Sequence, residues 1–147
     1  MEFFVLFLAG LIAGGLIAIQ SVLNATMGER IGALGSMLLI TLISIATLLG
    51  LVALFPGMAN FRRLPGLSEW YLYVGGVMGI AILSTPILLI PRIGTAATLT
   101  ALVVGQLALA VLVDHFGWLG TPRVEVSWVR LLGVALLFVG AFLVVRR

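Results

Sequence analysis

From Phe3 to Leu23 the chain carries no charge and no proline, and long uncharged runs recur at Leu34–Phe55, Trp70–Ile90 and Ile93–Val113. A hydrocarbon core about 30 Å thick is crossed by about 20 apolar helical residues. A fifth run, Leu131–Val145, reaches that length if its helix starts near Val126 and Arg130 snorkels to the interface. Strands of a membrane barrel would alternate polar and apolar residues over half this length. These runs do not alternate, so their backbone must satisfy itself as helix. The expected fold is all-α: one polytopic membrane domain over residues 1–147, with spans at 3–23, 34–55, 70–90, 93–113 and 126–145.

Composition excludes the soluble alternatives. Apolar residues make up 63% of the 147 positions and charged ones 9%, against about 45–50% and about 25% in soluble domains. A soluble enzyme, a disordered tail and a disulfide-stapled module are all ruled out. The eight basic residues are all arginines, scattered over the loops and span ends, which reads as headgroup anchoring rather than a nucleic-acid footprint. With no cysteine and one histidine, thiol chemistry and Cys- or His-rich metal sites are excluded, and no cofactor is expected. The start Met-Glu-Phe-Phe has no basic stretch and no small-x-small cleavage site follows, so the first span is expected to be retained.

The connections Asn24–Ala33 and Pro91-Arg92 are short, which makes spans one and two, and spans three and four, hairpin neighbours. Pro56–Glu69 and the segment from Asp114 to Glu125 are longer but leave no room for a folded ectodomain. Five spans put the termini on opposite sides. Arg62, Arg63, Arg123 and Arg130 then fall on one side, and Arg30, Arg92, Arg146 and Arg147 on the other. The positive-inside bias is zero. Such a chain is expected to insert both ways, and two copies can then pair antiparallel as a bundle of ten helices. That symmetry creates inverted repeats, on which alternating access is built.

Polar residues within the spans are few. Gln20 and Asn24 stand four apart, about 40° around a helix, and Gln106 lies in the middle of span four beside Gly105. They read either as lining a wet cavity that binds a polar solute or as hydrogen bonds between helices. Asn24 could alternatively cap the end of its helix. The hydroxyls Thr41, Ser44, Thr47, Ser84, Thr85, Thr95, Thr98 and Thr100 read mainly as bonded to their own helices. Pro86 predicts a kink or a local break in span three. Gly10/Gly14 and Gly75/Gly79 are spaced for close helix approach. All five acids lie at span ends or in loops. Asp114-His115, which ends span four, therefore reads as the candidate gate or titratable switch, or else Asp114 is an interfacial anchor that ends the helix.

Together these residues resemble the YdcZ-type family of the drug/metabolite transporter superfamily. The resemblance rests on the Ala/Gly-rich start of span one with Gln20 and Asn24, on Gly105-Gln106-Leu107 followed by Asp114-His115-Phe116-Gly117, and on Arg130-Leu-Leu-Gly133. It implies a bacterial inner-membrane protein of five helices, homologous to half of the ten-helix members. Relatives of similar size act as antiparallel dimers that export small molecules. Small multidrug exporters carry a glutamate within the first helix, and span one here has Gln20 and Asn24 instead. The expected function is thus a non-enzymatic transporter subunit for a small polar or zwitterionic solute. Its expected partners are membrane lipid, that solute and a second subunit, either an identical copy or a paralogue, and no nucleic acid. A dual-topology channel and a non-transporting accessory protein are the alternatives.

Overall fold

The computed structural model describes residues 1–146 apart from the side chain of Glu2; Arg147, counted above among the C-terminal cations, lies outside the described residues. Those residues contain five helices long and apolar enough to cross a membrane. They are α1 (Glu2–Ile31), α2 (Ala33–Leu54), α3 (Val74–Ile93), α4 (Thr95–Phe116) and α5 (Trp128–Val145). Short 3-10 turns at Pro56–Met58, Phe61–Arg63 and Leu67–Tyr73 join α2 to α3.

Two helices, α1 and α4, outlast their apolar runs at the C-terminal end. α1 continues through Asn24, Thr26 and Glu29 to Ile31, so Asn24 is not a cap and the expected loop from Asn24 shrinks to Gly32. Polar residues end a span but need not end a helix, and the hydroxyl of Thr26 donates back to the Val22 carbonyl at 3.0 Å. α4 likewise runs past Asp114 and His115 to Phe116 before Gly117, in the left-handed conformation, caps it. α5 starts later than Val126, because Ser127 is extended and its hydroxyl accepts the backbone N–H of Arg130 at 3.3 Å.

α3 is not broken at Pro86. The helix runs through both Pro86 and Pro91, so Pro91-Arg92 is part of α3 and not a connection. Each proline leaves the carbonyl four residues earlier without its donor. A spanning helix tolerates this where neighbouring groups satisfy the freed backbone. Just ahead of Pro86, the Ser84 and Thr85 hydroxyls both donate to the Ala81 carbonyl, at 2.7 and 3.0 Å.

The chain forms two compact units, Met1–Arg92 and the segment from Ile93 onward. In the first, α1 packs on α2 near their turn, where Ser36 Oγ donates to the Asn24 carbonyl at 3.1 Å. α1 also meets α3 closely: a Cβ placed on Gly28 would stand 2.5 Å from Ile87 Cγ2. In the second unit α4 packs against α5.

The turns after α1 and α3 have the same form. Each is a single glycine, Gly32 at φ 81, ψ 157 and Gly94 at φ 85, ψ 163. This backbone region is essentially open to glycine alone. Each glycine follows Arg-Ile, and its carbonyl accepts the N–H of a wholly buried hydroxyl residue, Ser36 at 3.0 Å and Thr98 at 3.1 Å. The helices that follow, α2 and α4, are both 22 residues long. Burial repeats as well. Of the seven buried residues among those described, six form pairs 62 positions apart: Asn24 and Pro86, Ala25 and Ile87, Ser36 and Thr98. Only Ser21 stands outside this pattern.

Candidate functional site

The second unit concentrates its charged groups where α4 ends. Asp114 accepts a 2.9 Å hydrogen bond from Arg130 Nη2, so the end of α4 is tied to the start of α5. The connecting loop folds back on the same turn of helix. Val124 N–H donates to the Asp114 carbonyl at 2.8 Å, and Arg123 Nε donates to the His115 carbonyl at 3.2 Å. His115 packs edge-on to Phe116, which stacks on Trp118 at 5.1 Å. His115 Nδ1 and Arg130 Nη1 are buried atoms with no hydrogen-bond partner among the described residues. Asp114 is therefore part of an ion pair, and Arg130 does more than snorkel. Opposite charges at the end of one span and the start of the next were the signal for this pair, visible in sequence once the two helices are known to pack together.

The amides fall into two environments. Asn24 is buried beside Ser36, whereas Gln20, one turn earlier on α1, is exposed. Their shared helix face leads to different surroundings because α1 is covered only near its turn. Pro86 is buried on α3. Gln20, Asn24 and Pro86 belong to the first unit; Gln106, Asp114 and His115 belong to the second. Gln106 is exposed in the middle of α4. The hydroxyls sort in the same way. Thr41, Thr47 and Thr98 each donate to the carbonyl four residues earlier, at 2.8 to 2.9 Å. Ser44 makes no hydrogen bond among the described residues.

A groove of about 430 Å³ between α4 and α5 is lined by aliphatic side chains such as Leu99, Val103, Leu136 and Val144, with Thr100 the one polar residue. Its walls suit hydrocarbon and not a polar solute. Gly10, Gly14, Gly75 and Gly79, spaced for close helix approach, have no atom within 4 Å of where a Cβ would stand. Among the described residues nothing stands against those four positions.

Five apolar helices joined by short loops, with ionic groups kept to the helix ends, define a multi-pass helical membrane protein. The family model described as "Putative inner membrane exporter, YdcZ" matches residues 5–143, and the chain belongs to this family. It is a multi-pass inner-membrane protein with a transporter-like role. No curated protein and no solved structure matches the chain.

Proposed function

We propose that this protein is one subunit of a small exporter that moves a polar or zwitterionic solute by alternating access, working as an antiparallel homodimer. Membership of an exporter family over nearly the whole chain carries this reading. Two features support its finer parts. Gln20 and Gln106 are exposed within the uncharged runs of α1 and α4, and an amide left unsatisfied in hydrocarbon costs about 2–7 kcal/mol. Water at Gln20 and at Gln106 meets that demand, and these amides together with Asn24 supply donors and acceptors for a neutral or zwitterionic solute. The even split of the eight arginines between the two sides supports insertion in both orientations.

Asp114 and His115 would serve as the gate. Movement of α5 away from α4 at that end requires the Asp114–Arg130 pair to part. The test is the accessibility of a C-terminal tag from each side of the membrane. Protection of about half the molecules is expected, and a single orientation throughout removes the antiparallel dimer.

A further inference from the structure

We propose that the helix–glycine–helix segments centred on Gly32 and Gly94 repeat one local form, and that Ser44 is a solute-binding residue at the position in the first segment that Gln106 holds in the second. This rests on the transporter reading above and adds a residue to its site.

The repeat stands on three independent matches at a constant offset of 62. The turn glycines Gly32 and Gly94 share their backbone angles. The buried residues pair up on both sides of those turns. The helices after the turns begin and end at matching positions, Ala33 and Thr95, Leu54 and Phe116. The Arg-Ile-Gly triplets at 30–32 and 92–94 are what remains of this in sequence.

Counting from the turns isolates one level. Gln20 lies twelve residues before Gly32, Ser44 twelve after it, and Gln106 twelve after Gly94. Twelve helical residues rise about 18 Å, which on α2 and α4 falls near the middle of the apolar runs 34–55 and 93–113, and on α1 falls three residues before the end of the run 3–23. Transporters built from repeats hold their solutes near the midplane. Within the first hairpin, Gln20 and Ser44 stand at equal distance from the turn on antiparallel helices that pack together. The chemistry of Ser44 sets it apart from its neighbours. Thr41 and Thr47 spend their hydroxyl protons on their own helix, whereas the Ser44 hydroxyl is exposed and has no partner among the described residues. A hydroxyl left free at mid-span can donate to, and accept from, a polar solute.

The absence of native cysteine makes the test direct. Single substitutions Gln20→Cys, Ser44→Cys and Gln106→Cys are made in the full chain, with Leu42→Cys and Ile45→Cys as exposed neighbours on α2. Membrane vesicles are treated with a membrane-impermeant, positively charged methanethiosulfonate, which needs water to form the reactive thiolate. The expected result is that Ser44→Cys reacts at least tenfold faster than Leu42→Cys and Ile45→Cys, at a rate comparable to the two glutamine positions. If Gln20→Cys and Gln106→Cys react while Ser44→Cys is as slow as its neighbours, the Ser44 assignment is overturned and the transporter reading stands. If all three stay unreactive, there is no wet midplane cavity, and both readings fall.

Discussion

Arg130, near the start of α5, donates from Nη2 to Oδ2 of Asp114, near the end of α4, at 2.9 Å. The pair closes a loop that is already held by Val124 N–H on the Asp114 carbonyl and by Arg123 on the His115 carbonyl. Three bonds within one helical turn make the end of α4 and the start of α5 a single fastened corner. About a third of each side chain of the pair is still exposed, so its stabilisation is set by a polar, screened environment.

The pair should therefore contribute modestly to stability. A double-mutant cycle with Asp114→Asn and Arg130→Gln, read by thermal unfolding in detergent, is expected to give a coupling of about 0.2–1 kcal/mol, weakening with salt. A coupling of several kcal/mol would show a desolvated pair and a stiffer corner than the exposed side chains imply.

The close approach of α1 and α3 is testable at Gly28. A methyl group there meets Ile87 Cγ2 at 2.5 Å, and that atom is a branch close to the backbone, not a flexible tip. Gly28→Ala is expected to destabilise by about 1–3 kcal/mol through overpacking. Ile87→Ala in the same chain should recover part of that loss, although each change alone is harmful. Strictly additive losses in unfolding experiments would place Gly28 away from Ile87.

The two turn glycines should fail alike. Gly32→Ala and Gly94→Ala each force a side chain into a backbone region reserved for glycine, at about 1–3 kcal/mol. Alanine at Gly10, where nothing lies within 4 Å, should be neutral or slightly stabilising in the monomer. Comparing the three variants by unfolding midpoint checks whether the turns, and not glycine loss in general, carry the effect.

Gln106→Leu removes the amide from the middle of α4 while keeping a helix-forming side chain of similar length. Transport is expected to be lost with expression and membrane insertion unchanged. Counterflow between the two sides, present in the parent and absent in the variant, would mark a carrier and not a channel. Unchanged flux takes Gln106 out of the site.

The number of spans was legible because lipid asks one question of each residue, whether it can leave water, and a run of about 20 answers it without reference to any other residue. The same reasoning misread where helices end. Asn24, Thr26, Glu29 and Arg30 are polar yet helical, and Asp114 and His115 likewise, since hydropathy marks the edge of the lipid and backbone bonding marks the edge of the helix. Pro86 offered a kink or a break, and only the break is absent: its ring removes one bond, while the remaining bonds of α3 hold the helix continuous.

The sequence by itself determined five membrane helices, the charges at their ends and the family to which they belong. Tertiary structure decided that Asp114 meets Arg130, that Asn24 is buried while Gln20 is open, and that two glycine turns 62 residues apart share one geometry. The division has a physical cause. Partition into lipid is a property of each residue alone, whereas a partner across a helix interface exists only once packing has chosen which faces meet.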